Sequence, residues 1–263
     1  MIKKNGISFG ASAWTHIEIS DHCNLRCRMC EQSGELEWHR DKTKVHPQPR
    51  AFMSFELWKK IIDDFVKMGV KFNEIDPFWM GESLINPDFP KMMDYLKQVN
   101  EKYELFYAFK LHTNALNLTK ENSEAILNCC MAFQYSRIVF SIDAIKPGTF
   151  KTVKKVDGMS QVNQNIKSFI KLKLARKQVF PKLLLQFIVL KENEAEVEEF
   201  IQYWTNFLSS EGLGVEICSS HSDPRLLEPN NKVIIYFEKE NTSPSLEPAA
   251  LERYMRVIRQ YGK

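Results

Sequence analysis

The sequence predicts an α/β fold, a partial (β/α)6 TIM-like barrel with an open parallel sheet and a short C-terminal tail. Six apolar strand segments alternate with amphipathic helix segments between residues 14 and 218, a pattern typical of a parallel sheet with helices outside it. Six such units fall short of the eight that close a TIM barrel. We therefore expect the sheet to remain open and curved.

The strand segments are short alternating or apolar runs bounded by turn residues. In the first of them, Ile17 and Ile19 point one way and Glu18 points the other, which predicts a sheet with two different faces. The predicted strands cover residues 14–20, 73–80, 104–113, 136–142, 182–190 and 213–218.

The helix segments carry apolar residues at helical spacing. The first begins at Ser54, a typical N-cap residue, and stops at Gly69, a residue type that commonly ends helices. One further helix is expected in the tail, at residues 248–261. The predicted helices of the barrel, including this first one, cover residues 54–68, 88–100, 120–130, 147–154, 160–177 and 194–208.

The chain divides into a lead-in at residues 1–13, the barrel at 14–220 and the tail at 221–263. Four prolines interrupt the tail, so we expect it to pack without extending the sheet far. It leaves the last strand at the rim where parallel barrels place their active sites, and we expect it to cover or border the barrel mouth. Residues 31–52 are polar, contain two prolines and are expected to form a long irregular loop.

Composition narrows the class of protein. Apolar residues make up 44 % of the chain, which is enough for a sizeable core. The 36 basic and 33 acidic residues leave a net charge of +3, too little to indicate nucleic-acid binding. The sequence contains no long apolar run of the kind that predicts a signal peptide or a membrane span. We expect a cytoplasmic protein with reduced thiols.

Three cysteines, Cys23, Cys27 and Cys30, lie within eight residues directly after the first strand. Thiolates hold iron–sulfur clusters, and three of them leave one iron of a four-iron cluster without a protein ligand. Zinc is the alternative, with His22 or His39 as a fourth ligand. A disulfide framework does not suit a chain of 263 residues with six cysteines.

Several strands place polar side chains on one face: Lys110 with His112, Ser141 with Asp143, and Gln186. Polar groups inside a barrel are unfavourable unless they form hydrogen bonds, so a bound polar ligand would satisfy them. The alternatives are that some lie in water at strand ends and that Lys110 points outward.

The spacing Cys23-x3-Cys27-x2-Cys30 after a strand resembles the signature of radical S-adenosylmethionine (SAM) enzymes. Further stretches between about residues 14 and 218 resemble the same superfamily. The chain is most similar to members in which a cysteine-rich SPASM-type domain follows the catalytic domain, and we expect no such extension here. These stretches are Met80-Gly81-Glu82, Thr113-Asn114-Ala115, Ser141-Ile142-Asp143-Ala144, residues 149–154 and the strand that contains Gln186 and Val189.

The resemblance implies that Cys23, Cys27 and Cys30 hold a [4Fe-4S] cluster and that SAM chelates its open iron. It implies contacts to the amino group of SAM from Gly81 and Glu82. Further implied contacts are Asn114 to the ribose or methionine part, Ser141 and Lys154 to the carboxylate, Gln186 and Val189 to ribose and adenine, and Met29 to adenine.

The implied activity is reductive cleavage of SAM to methionine and a 5′-deoxyadenosyl radical, which abstracts hydrogen from a peptide, sugar or small-metabolite substrate. An electron donor such as flavodoxin or ferredoxin would be the partner. Without an auxiliary cluster, we favour epimerisation, rearrangement or a redox-neutral elimination. The alternative is a non-enzymatic metal-binding or regulatory module on a degenerate barrel, favoured by Met80 and Ala115 where relatives have glycine.

Individual residues also have simpler interpretations. Gly81-Glu82 and Asn114 suit an ordinary turn, Lys154 suits a solvated surface and Val189 suits the core. The remaining three cysteines are interpreted as structural thiols; they are Cys129, Cys130 and Cys218.

Overall fold

The computed structural model describes residues 3–4, 7–8, 14–30, 51–219, 228–240 and 247–261. Most of the predicted 31–52 loop, including His39, lies outside the described residues. The strands are β1 (Lys3–Lys4), β2 (Ile7–Ser8), β3 (Trp14–His16), β4 (Phe72–Asp76), β5 (Phe106–Thr113), β6 (Tyr135–Ser141), β7 (Lys182–Val189), β8 (Val215–Cys218) and β9 (Val233–Lys239). The helices are α1 (Phe55–Met68), α2 (Phe89–Tyr103), α3 (Lys120–Cys130), α4 (Pro147–Lys154), α5 (Met159–Ala175), α6 (Val197–Ser210) and α7 (Glu247–Tyr261).

Within the described ranges, seven parallel strands form one open sheet in the order β3-β4-β5-β6-β7-β9-β8. This confirms the predicted fold class. The first helix also begins and ends as expected. Ser54 accepts a hydrogen bond from the Leu57 N–H at 3.2 Å, and Gly69 stops α1 at a φ of 65°, a conformation that favours glycine.

The tail corrects one expectation, because it supplies a strand. Strand β9 lies between β7 and β8 and pairs in parallel with both, so the sheet has seven strands and not the expected six. All five residues of the run 233–237 are buried. A continuous apolar run suits a central parallel strand that is covered on both faces, and the prolines that suggested an irregular tail fall outside it.

The two faces of the sheet differ in character. The face beneath the helices is apolar and contains the large buried side chains Phe109, Phe140 and Phe187, which join Trp58 and Trp204 from the helices. The opposite, inner face carries charged groups that pair with one another. The Arg137 guanidinium donates to both carboxylate oxygens of Glu74 at 3.0 Å.

A second inner cluster surrounds Asp76 at the end of β4. The Lys110 ammonium and His16 Nδ1 each lie 3.2 Å from Asp76 Oδ2. Lys110 therefore points into the barrel, and protein partners satisfy charges for which a bound ligand was expected. Asp76 Oδ1 is buried and has no hydrogen-bond partner among the described residues. Burial raises the pKa of Asp76 to about 7, although the Lys110 charge opposes that shift.

None of the helices in the described ranges is long and apolar enough to cross a membrane.

The raised pKa of Asp76 predicts a pH-dependent stability. Between about pH 4 and pH 7 the folded protein retains a proton that the unfolded chain has lost, so this group's contribution to the free energy of unfolding falls as pH rises. Asp76→Asn removes that loss. The free energy of unfolding of Asp76→Asn minus that of the wild type should therefore be larger at about pH 8 than at about pH 5. Urea titration at the two pH values measures this difference.

Asp63→Asn is the matched control. Asp63 lies on the surface of α1, where a hydrogen bond from Lys59 lowers its pKa, so it is ionised across the whole window. The pH dependence of this variant should follow the wild type. Equal pH dependence in Asp76→Asn and the wild type would contradict the prediction.

Candidate active site

The cysteine loop follows β3 at the carboxyl edge of the sheet, where parallel α/β folds place their active sites. Cys23, Cys27 and Cys30 form no disulfide and are half-buried there. Burial raises the pKa of Cys27 to about 11, the Lys154 charge opposes the shift, and Cys23 and Cys30 add to it. The three sulfurs therefore lie within electrostatic reach of one another.

A single zinc ion and a four-iron cluster place different demands on the spacing of these thiols. No three His, Cys, Asp or Glu side chains of the described residues converge on a single metal ion. Zinc with bonds of about 2.3 Å would need sulfurs roughly 3.8 Å apart in a tetrahedron, whereas a four-iron cluster is larger and needs more widely spaced ligands. The ring of His22, the nearby alternative zinc ligand, packs on Phe52 with centroids 4.7 Å apart.

Helix α4 supports the loop through its last carbonyl groups. The Arg28 N–H donates to Val153 O at 2.8 Å, and the Arg26 N–H donates to Lys154 O at 3.3 Å. Carbonyl groups at a helix C-terminus lack partners within the helix. The loop therefore satisfies the end of α4 while α4 fixes the position of the loop.

The C-terminal segment holds the loop from the other side. Arg28 donates to Glu240 at 2.8 Å and lies 3.2 Å from Glu192. Arg253 of α7 donates to the same Glu240 at 2.9 Å. Glu240 is only 3 % exposed, so one buried carboxylate joins the cysteine loop to α7.

Gly81 packs directly against the start of the cysteine loop. A Cβ at this position would lie 1.9 Å from Ser20 O, so only glycine permits the approach. The N–H groups of Met80 and Gly81 both donate to Glu18 Oε1, at 2.7 and 3.0 Å. The Glu82 N–H donates to His22 O at 2.7 Å. This turn is therefore part of the framework of the loop.

The Glu82 carboxylate is buried and largely occupied by protein donors. It accepts hydrogen bonds from the Leu84 N–H at 3.1 Å, the Thr113 hydroxyl at 2.8 Å and the Asn114 N–H at 2.8 Å. A carboxylate offers about four acceptor positions. Roughly one of them remains for the amino group of a ligand.

Ser141 and Gln186 come together on the inner face. The Ser141 hydroxyl donates to Gln186 Oε1 at 2.7 Å, and the Gln186 amide donates to Glu238. Glu238 belongs to β9, so sequence reasoning that left β9 outside the sheet could not place it. The signal for it was the apolar run at 233–237, whose carboxyl end carries Glu238 and Glu240.

Lys154 is not a solvated surface residue, in contrast to its simpler interpretation. It is 2 % exposed and forms a buried ion pair with Asp143, whose other oxygen accepts from the Ile188 N–H at 2.6 Å. Burial lowers the pKa of Lys154, but Asp143 and Cys27 outweigh it and hold that pKa above the ordinary value. A buried ammonium therefore lies beside the cysteine loop.

Of the remaining residues predicted for the site, some lie near the cysteine loop and one lies in the core. Met29 is half-buried within the loop, and Asn114 lies beside Cys23. Val189 is fully buried in the core beneath the helices, on the face opposite Gln186, so the structure does not bring it to the site. The structural cysteines are buried as expected; they are Cys129, Cys130 and Cys218.

Ala115 retains the backbone conformation that a glycine would adopt at the end of β5, with a φ of 61°. The left-handed region costs an alanine roughly 1–2 kcal/mol. Ala115 therefore occupies a backbone conformation that glycine adopts without this cost.

Comparison with known proteins gives a consistent picture. A family model described as the Radical SAM superfamily matches residues 17–203. A tungsten-containing aldehyde ferredoxin oxidoreductase cofactor-modifying protein of Pyrococcus furiosus is 25 % identical over 197 residues, which cover 73 % of this chain and 48 % of that protein. A GTP 3′,8-cyclase of Lactiplantibacillus plantarum is 26 % identical over 194 residues, covering 72 % and 50 %. The chain thus spans about half the length of these curated relatives.

Solved structures show the same fold at low sequence identity. Native anSMEcpe with bound AdoMet aligns with a TM-score of 0.58 at 14 % identity and covers 94 % of this chain and 59 % of its own. Streptococcus suis SuiB bound to S-adenosylmethionine aligns with a TM-score of 0.56 at 13 % identity, covering 94 % and 48 %. At this identity the likeness shows the fold alone.

The close approach at Gly81 yields a prediction. In Gly81→Ala the new Cβ would overlap Ser20 O, so the start of the cysteine loop must move. Iron and sulfide bound after anaerobic reconstitution should fall well below the wild-type content. Gly148→Ala is the control, because a Cβ there has no neighbour within 4 Å; it should bind as much iron as the wild type. Equal iron content in both variants would show that the approach does not position the loop.

The two ion pairs of Glu240, with Arg28 and Arg253, yield another prediction. Glu240→Gln removes the charge that two arginines share, and a hydrogen bond to a charged group contributes about 1.5–3 kcal/mol. The free energy of unfolding should fall by at least about 1 kcal/mol, and amide exchange at residues 27–30 should become faster. Glu192→Gln, a more exposed partner of the same Arg28, should change either quantity little. Identical behaviour of the two variants would contradict the role of these ion pairs.

Proposed function

The chain belongs to the radical SAM superfamily, and from that premise we propose that it is a radical SAM enzyme whose Cys23, Cys27 and Cys30 hold a [4Fe-4S] cluster. When bound, the cluster would supply one electron to the sulfonium of SAM, and SAM would supply the 5′-deoxyadenosyl radical for hydrogen abstraction. The observation that supports the proposal is that three thiols outside any disulfide lie on one loop at the carboxyl edge of the sheet, beside a buried ammonium.

Lys154 is the proposed contact to the carboxylate of SAM. An ammonium has three donors, and Asp143 takes one of them. The remaining donors lie beside the loop, where burial strengthens a charged hydrogen bond. Lysine binds as a point charge and not as a fork, so a neighbouring group must help to orient the carboxylate. Ser141, at the end of β6, is proposed for that role, its hydroxyl turning from Gln186 Oε1 to the carboxylate when SAM binds.

The amino group of SAM would meet the one free acceptor position of Glu82. Gly81 exposes backbone close to the loop because it has no side chain. Gln186, held by Ser141 and Glu238, is proposed to contact the ribose. Met29 is proposed to cover adenine, since a flexible thioether packs well on rings. Val189 has no part in this proposal because it lies in the core.

Substrate and partner are proposed in broader terms. One relative is named a GTP cyclase and another a cofactor-modifying protein, and solved structures of the same fold include SuiB bound to its precursor peptide SuiA. We propose a peptide, sugar or small-metabolite substrate and an electron donor such as flavodoxin or ferredoxin. Hydrogen abstraction requires that the substrate be enclosed away from water, and the inner face between β6 and β9 is the place we propose for it.

The test is reconstitution with iron and sulfide under anaerobic conditions, followed by SAM and a reductant. About four irons per chain, the stoichiometry of one cubane, and release of 5′-deoxyadenosine and methionine are expected. A cluster-loaded protein that never cleaves SAM would contradict the proposal. Zinc bound without a cluster would support the metal-binding module instead.

Lys154 provides the sharper test. Lys154→Met should reduce SAM affinity about tenfold or more at unchanged iron content, because a charged hydrogen bond contributes roughly 1.5–3 kcal/mol. Lys154→Arg, which keeps the charge, should restore most of the affinity. Lys151→Met removes an exposed lysine of the same helix and should bind SAM as the wild type does. Equal affinities in the three variants would exclude Lys154 from the SAM pocket.

A further inference from the structure

Three asparagine side chains form a chain of hydrogen bonds beside the cysteine loop. The Asn114 amide donates to Asn24 Oδ1 at 2.8 Å, and the Asn24 amide donates to Asn117 Oδ1 at 3.0 Å. Asn24 lies next to Cys23 in the loop, while the other two residues follow β5. This amide chain therefore joins the loop to the end of a central strand.

One backbone group fixes the direction of the whole amide chain. The Leu116 N–H donates to Asn114 Oδ1 at 2.9 Å. A flipped Asn114 amide would place its NH2 against this N–H, which can only donate. The NH2 of Asn114 must therefore face the loop. Asn24 must in turn present its oxygen to Asn114 and its NH2 to Asn117.

This orientation leaves one N–H of Asn114 with a distinct neighbour. An amide NH2 has two hydrogens, and Asn24 takes one. Cys23 Sγ lies 3.9 Å from the same nitrogen and is also approached by the Leu25 N–H at 3.5 Å. A nitrogen–sulfur distance of 3.9 Å is long for a hydrogen bond to a neutral thiol. The contact gains strength when the sulfur carries the negative charge of an iron-bound thiolate.

We propose that Asn114 is a positioning residue of the cluster, which donates a hydrogen bond to the Cys23 sulfur and thereby raises the reduction potential of the cluster. The inference rests on the proposed function, because it needs a cluster bound at Cys23. Reduction adds negative charge that the sulfurs share, so a donor aimed at a sulfur stabilises the reduced form more than the oxidised form.

The same geometry argues against the ribose or methionine role expected for Asn114. Both of its N–H groups face the loop, and its oxygen has already accepted one hydrogen bond. The side chain is 8 % exposed. What remains for SAM is a single acceptor position. The structure therefore favours contact with the cluster ligand over contact with SAM.

The test is an EPR-monitored redox titration of the reconstituted full chain without SAM. Asn114→Ala removes the donor, and Asn114→Asp replaces it with an acceptor while keeping an oxygen for the Leu116 N–H. Both variants should have a more negative midpoint potential than the wild type. For the alanine variant we expect a shift of up to about 59 mV, which corresponds to a tenfold change in the one-electron equilibrium. The aspartate variant should shift further because it adds negative charge.

Asn165→Ala is the matched control. The Asn165 amide donates to the carbonyl groups of Ala115 and Leu116 at 2.9 and 3.0 Å, so its loss loosens the same turn without touching the Asn114 amide. Its potential should equal that of the wild type. If Asn114→Ala fails to assemble a cluster, Asn114→Asp, which preserves the turn, provides the measurement.

Three outcomes overturn the inference. The first is an unchanged potential in both Asn114 variants, and the second is an equal shift in Asn165→Ala. The third is reduced SAM affinity in Asn114→Ala with no change in potential, which would return Asn114 to the SAM pocket. A wild-type chain that assembles no cluster would overturn the proposed function together with this inference. The three outcomes above, obtained with a cluster-loaded wild type, would overturn the inference alone.

Discussion

The hydrogen bond from the Glu82 N–H to His22 O, 2.7 Å long, is the interaction on which the arrangement of the site depends. The cysteine loop contains no helix or strand of its own, so contacts with neighbouring segments must define its shape. Glu82 joins the end of β4 to the start of that loop through its backbone. Through its buried carboxylate it also joins β4 to the end of β5. Three segments that are distant in sequence therefore meet at one residue.

The inner face of the sheet separates into two regions with different functions. Around β4 and β5 charged side chains pair with one another, as in the pair of Arg137 with Glu74. Beside the cysteine loop, by contrast, Lys154 and Glu82 use only part of their hydrogen-bonding capacity on protein partners. Polar groups with unused capacity at the end of a parallel sheet are what a polar ligand requires.

Local sequence signals were sufficient for the fold class and for most of the elements. Alternation revealed the strands, and Ser54 with Gly69 revealed the limits of α1, because caps and turns depend on neighbouring residues alone. The burial of Lys154 was not accessible in this way, since it depends on Asp143, which reaches it only after β6 and α4 have packed. The place of β9 was missed for a related reason. Its apolar run indicated burial, but strand order is a property of the whole sheet.

The insertion of β9 between β7 and β8 has a consequence for synthesis of the chain on the ribosome. Strand β8 pairs only with β9 within the described sheet, and β9 ends at Lys239. While the chain emerges, β7 therefore presents an open edge, and β8 has no neighbour to dock on. Open edges invite pairing with other chains. Completion of the described sheet thus waits for residues 233–239, and nascent chains arrested before that point are the form most exposed to aggregation and most in need of chaperones.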